Sequence, residues 1–247
     1  SFWKDVGPLA IQKGGNSQHE MLEMFDVLLQ KECDLQVDDC SSSSGTYFYL
    51  DDVVFSGNRV KRDLVSWIES DAPKKAHVHI VVIAFHLNGQ YYANTSIEKA
   101  ASKAKKEVEL TWWSCVQFED RKAYVNASEV LRPSTLPNDP ATQSYLSMLA
   151  AAGYPPVLRT SGAMSKSQVF SSETGRDLLE QEFLKGGLNV RSRCPYLPEN
   201  CRPLGYSVLK TLGFGSMVVT FRNCPNNAPL VLWAGDPWYP LFPRKTN

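Results

Sequence analysis

Residues 47–59 read YFYLDDVVFSGNR. Tyr47 to Leu50 is aromatic and aliphatic, the composition of a buried strand. Asp51 and Asp52 are expected to end that strand. Ser56-Gly57-Asn58 then supplies a turn, since small and short polar residues tolerate tight-turn geometry. Beyond it the apolar period changes. Val60, Leu64, Trp67 and Ile68 fall on one helical face, with Asn58 placed as the cap. The order is therefore strand, paired carboxylates, glycine turn, helix.

That order has chemical consequences. A glycine loop running into a helix N-terminus aims backbone N–H groups and the positive helix end at one point, which suits an anion. Phe55, Ser56, Gly57, Asn58 and Arg59 occupy this position, and Arg59 adds a charge-assisted contact to phosphate. Asp51 and Asp52 do not bind phosphate themselves. They accept hydrogen bonds from vicinal hydroxyls or help to hold Mg²⁺. Phosphate on the loop and hydroxyls on the carboxylates describe a ribose 5-phosphate. Gly57 on this reading serves the approach of phosphate, so Gly57→Val should abolish binding at little cost to the fold. The bland alternative makes Asp-Asp a strand end and nothing more; the turn and helix at the right offset speak for binding.

Working outward, KGGNSQHEMLEMFDVLLQK (13–31) opens on two glycines and proceeds into a helix, with Ser17 and Glu20 at capping-box spacing. AHVHIVVIAF (76–85) is a nearly continuous apolar run, as in a parallel strand covered on both faces. SIEKAASKAKKEVE (96–109) is read as a helix and LTWWSCVQF (110–118) as a strand. Alternating strands and helices argue for a parallel α/β sheet. In the second half, Asp139, Pro140 and Gly153 punctuate a helix, and a second helix is expected to stop at Gly186-Gly187. GSMVVTF (215–221) and PLVLW (229–233) read as short strands. The preferred organisation is one domain over 1–247, with a core to about residue 135 and a C-terminal subdomain or hood from about 136.

Lysine plus arginine equals aspartate plus glutamate, 26 each, so the chain has no net charge to support broad binding of nucleic acid or anionic membrane. No apolar run has the length of a membrane span, and SFWKDVGPLAIQ lacks a signal-peptide pattern. The six cysteines form no C-x-x-C pair, and reduced thiols and a cytoplasmic location are expected. His77 and His79 alternate along a strand without a carboxylate or thiol at a defined distance, so solvated histidines are expected ahead of a metal pair. Arg176 and Glu180 stand at i,i+4, where a surface ion pair and a functional role are equally open.

The 47–59 stretch resembles the signature of type I phosphoribosyltransferases: a hydrophobic strand, two acidic residues, apolar positions and a Thr/Ser-Gly turn. The resemblance implies a Rossmann-like core with a mainly parallel sheet and a C-terminal hood. It gives Asp51 and Asp52 the ribose and catalytic role and implies Mg²⁺ as the metal they help to hold. Phe55 to Arg59 take the 5-phosphate, and Gly14, Gly15, Asn16 and Ser17 take the role of the pyrophosphate loop. Where the family usually has threonine, this chain has Arg59. DDVVFSGNR, TGRDLLEQEFLKGG, LGFG and PNNAPLVLW together resemble the orphan phosphoribosyltransferase-like proteins of bacterial conflict systems, some encoded beside retron reverse transcriptases. That resemblance implies an anti-phage effector acting at C1 of a ribose 5-phosphate, with phosphoribosyl pyrophosphate or a nucleotide as ligand. A reverse transcriptase–RNA/DNA complex is the implied regulatory partner. The rival expectation is a catalytically inactive nucleotide-binding module, or a scaffold subunit of such a nucleoprotein complex.

Overall fold

In the computed structural model, which describes residues 2–167, 169–194, 196–221 and 224–244, the chain divides into two compact units between Phe118 and Glu119. The first unit is a sheet of four parallel strands: Val6–Pro8 (β1), Thr46–Val54 (β2), Lys75–His86 (β3) and Glu107–Phe118 (β4), in the order β1-β2-β3-β4. Helices Ser17–Cys33 (α1), Asn58–Ser70 (α2) and Leu87–Ala104 (α3) connect them.

Alternation along β2 assigns the helices to faces. Phe48 and Leu50 pack with Val6 and Leu22, so α1 covers one face, joined by an edge-on cluster of Trp3, Phe25 and Phe48. Tyr49, Val78, Ile80 and Val82 pack with Val60, Leu64, Trp67 and Ile68 of α2 and with Ala93, Ile97 and Ala101 of α3. The helical period read from 60–68 is therefore the one that is buried, at about 1.5–3 kcal/mol for each large aliphatic or aromatic side chain.

Several expectations are corrected. On β3 the face bearing Ala76, Val78, Ile80, Val82 and Ala84 is buried, yet Val81 and Ile83 on the other are 37% and 43% exposed, so the strand is covered on one face only. The third helix starts at Leu87, directly after β3, and ends at Ala104, where Lys105 takes a left-handed conformation (φ 56°) that turns the chain into β4. FHLNGQYY has no apolar stripe to announce the helix start; the residues after Lys105 form the start of a strand because Glu107 and Val108 pair with Lys75 and Ala76.

The second unit contains Pro140–Ala151 (α4), Glu173–Arg193 (α5), the short antiparallel pair Cys201–Arg202 (β5) and Gly205–Tyr206 (β6), and the single turn Leu230–Trp233 (α6). Asp139 caps α4, accepting from the Thr142 amide at 3.0 Å, and Ser172 caps α5 through the Gly175 amide at 3.1 Å. Leu131, Tyr145, Leu149, Leu184, Leu188, Leu204 and Leu212 form its core. The second of these helices runs through Gly186-Gly187 instead of stopping there. A Cβ on Gly187 would stand 2.4 Å from the Pro203 carbonyl oxygen, so this glycine permits close packing and does not end the helix. Residues 215–221 belong to no sheet, and 230–233 are helical, which overturns both C-terminal strand expectations. Gly213 and Gly215, at φ 139° and 78°, bend the chain ahead of that segment, and its backbone bonds irregularly, Ser216 to Asn227 among them.

Candidate functional site

Ligands of open parallel sheets bind beyond the carboxyl ends of the strands, and the predicted residues lie at that end of β2. Asp51 and Asp52 sit inside the strand instead of ending it: pairing continues past them at Val53↔Ala84 and Val54↔Phe85. The reason is that Val53 and Val54 are themselves buried apolar strand formers. As strand neighbours, the two carboxylates leave on opposite faces. Asp51 follows Tyr49 onto the α2 face and is 3% exposed, while Asp52 is half-buried. Each accepts a backbone amide, Asp51 from Asp52 at 2.9 Å and Asp52 from Val53 at 2.8 Å. Burial pushes the Asp51 carboxyl up to about 6. The Ser17 hydroxyl hydrogen-bonded to it and the nearby Arg59 charge pull the other way, while Asp52 adds to the rise. On the same face the Tyr49 hydroxyl donates to the buried Asp63 at 3.0 Å.

Phe55 leaves β2 and stacks on His86 at 5.2 Å; the buried His86 ring also faces Phe118 at 5.2 Å. Gly57, not Asn58, is the residue that precedes α2, in a left-handed conformation with φ 72° and with no side chain to cap the helix. Asn58 is already helical. The first turn carries no acidic residue, so the positive end of this 13-residue helix is met by no carboxylate of its own. Ser56, Asn58 and Arg59 are exposed, and Gly57 is buried. A Cβ on Gly57 would stand 2.0 Å from the Gly89 carbonyl oxygen, and one on Gly89 would stand 1.9 Å from that of Phe55. Gly57 is thus part of the packing of this loop against the first turn of α3, and the expectation that valine there would spare the fold does not hold.

The second loop arrives from the other side. Gln18 is buried and its Oε1 accepts from the amides of Ile11 and Gln12 at 2.7 and 2.9 Å, which anchors the segment leading into Gly14 and Gly15. Gly14, Gly15 and Asn16 are exposed. Asn16 holds the cap position of α1, and Ser17 is helical. Ser17 therefore makes no capping box; its hydroxyl is free to accept from Gln12 Nε2 at 3.0 Å and from Arg59 Nη1 at 3.2 Å. The last bond joins residues 42 positions apart and brings Gly15, Ser17, Asp51 and Arg59 together. A groove of about 290 Å³ opens along the α2 flank, lined by Gln12, Lys13, Asp63, Ser66 and Trp67 among others.

Among the described residues, no three His, Cys, Asp or Glu side chains gather as a ligand set. Magnesium keeps several waters and takes one or two carboxylates plus substrate oxygens. Asp51 and Asp52, on opposite faces, fit that ion only in company with substrate. His77 and His79 are half-buried; His77 bonds Thr111 Oγ1 at 2.8 Å, and His79 accepts from Trp113 Nε1 at 3.1 Å.

In the second unit, Arg176 and Glu180 are almost fully buried, not on the surface. Glu180 accepts from Arg176 Nε at 2.9 Å, from Arg159 Nη2 at 3.0 Å and from the Arg132 amide at 2.9 Å, and Arg159 also pairs with Asp177 at 2.5 Å. Losing one partner of such a network strands a buried charge, at about 3–5 kcal/mol. Only the i,i+4 spacing was a sequence signal; the other partners lie 18 to 48 positions apart.

Searches of curated proteins and of solved structures return no significant match. The PRTase-CE family model matches residues 1–244. With that match over nearly the whole chain, and with a parallel α/β sheet beneath the paired carboxylates, the chain belongs to this phosphoribosyltransferase-like family.

Proposed function

We propose that the chain acts at C1 of a ribose 5-phosphate, on phosphoribosyl pyrophosphate or a nucleotide. The observation that carries this reading is the meeting of two helix-leading loops over Asp51, joined by the Arg59–Ser17 bond. The open first turn of α2 receives the 5-phosphate. Asp51 and Asp52 accept the ribose hydroxyls and hold the sugar in place. Cleavage at C1 leaves positive charge on the ring, which the carboxylates beside it favour. Magnesium, held by Asp52 and the substrate's own oxygens, would neutralise a leaving pyrophosphate. In cells we assign the activity to anti-phage defence, as an effector restrained by a partner such as a reverse transcriptase–RNA/DNA complex; the resemblance of the DDVVFSGNR, TGRDLLEQEFLKGG and PNNAPLVLW blocks to proteins of bacterial conflict systems supports that assignment.

The burial of Asp51 favours a second reading, a nucleotide-binding module without turnover. Phosphorus NMR of the purified chain with phosphoribosyl pyrophosphate, and separately with nucleoside 5′-monophosphates, decides between them. Release of pyrophosphate from the first ligand, or of ribose 5-phosphate from either, is the expected result. Saturable binding with no product identifies the module, and neither binding nor product refutes both.

A further inference from the structure

The basic side chains of the two loops and the helix turns that follow are not equivalent. Lys13 Nζ is directed to Ser66 Oγ, at 3.4 Å, on the α2 flank. Lys61 lies over the Tyr92 ring at 5.7 Å, and Arg62 pairs with Asp63 at 3.6 Å. Lys13 thus spans from the first loop to the middle of α2, whereas Arg59, in the first turn of α2, sets its charge between the two loops: its Nη1 donates to Ser17 Oγ at the start of α1. The guanidinium rests against Gly15, where a Cβ would stand 2.6 Å from Nη1. That glycine leaves room for it. A guanidinium carries five N–H donors in a planar fork, so the Ser17 bond leaves donors for a bidentate anion. On the ribose-phosphate reading, the uncapped amides in the first turn of α2 take the 5-phosphate, and the Arg59 guanidinium is turned toward the Gly14–Ser17 segment.

We propose that Arg59 is a specificity-determining residue, shared between the loops, that gives the Gly14–Ser17 turn the cation needed to select a ribose bearing anions at both C5 and C1 over one bearing the 5-phosphate alone. This rests on the ribose-phosphate reading above. Isothermal titration of phosphoribosyl pyrophosphate and of ribose 5-phosphate into the wild type, Arg59→Ala and Arg59→Lys tests it. Wild type should prefer the pyrophosphate. Arg59→Ala should lose about 10- to 100-fold of that affinity, the worth of hydrogen bonds to a charged group, and far less for ribose 5-phosphate. Arg59→Lys should recover part, since it restores charge without the fork. Equal weakening of both ligands, or of neither, overturns the proposal while the ribose-phosphate reading stands. A wild type that binds neither ligand overturns both.

Discussion

Asp51 carries the clearest thermodynamic signature of the site. Its carboxyl titrates up to about 6, above the ordinary 3.8, because burial disfavours the charged form more than the Ser17 hydroxyl and Arg59 favour it. Between about pH 4 and about pH 6 the folded chain keeps a proton that the unfolded chain has released, so this residue's contribution to stability falls as pH rises through that window. Above it the cost is complete, on the order of 2–3 kcal/mol. Asp51→Asn removes the charge and should stabilise the fold by roughly 2 kcal/mol at about pH 7.5, a gain that fades by about pH 4. Urea midpoints across that range measure it; a gain independent of pH would mean that burial of charge is not its source. Strongly shifted carboxyls concentrate at functional sites, and the ribose-phosphate reading we propose gives this cost a purpose.

At the scale of elements, the contact between the 55–57 loop and the first turn of α3 sets the shape of the loop that leads into α2. Gly57→Ala meets both a left-handed backbone, costing about 1–3 kcal/mol, and the Gly89 carbonyl. Gly89→Ala meets the Phe55 carbonyl. Each should lower the unfolding free energy obtained from urea denaturation by on the order of 2–4 kcal/mol, while Ser56→Ala, exposed in the same loop, stays within about 0.5 kcal/mol. Equal stability of all three would refute the contact. The sheet unit was largely legible because its signals are local: the 60–68 stripe of α2, the β-branched run of β3, and a glycine turn between strand and helix. What escaped depends on distant partners. Nothing near Gly57 in sequence announces Gly89, and nothing near Glu180 announces Arg132 or Arg159, 48 and 21 positions away. Gly186-Gly187 reads as a stop until Pro203 is seen packed against it. MVVTF has strand propensity but, among the described residues, pairs with no strand, and propensity without a partner does not make a sheet.

For the whole molecule, zero net charge leaves recognition to local arrangement, and the family match spans both units. The central claim is that the carboxyl end of β2 is a ribose-phosphate site. A ligand that binds only the folded chain raises its stability by about 2.7 kcal/mol at a hundredfold excess over Kd. The direct test is the melting temperature of the wild type and of the Asp51→Asn, Asp52→Asn double variant, each with and without saturating phosphoribosyl pyrophosphate and magnesium. The account predicts a clear rise for the wild type and none for the double variant, which should itself remain folded. No rise in the wild type, or the same rise in both, would contradict it.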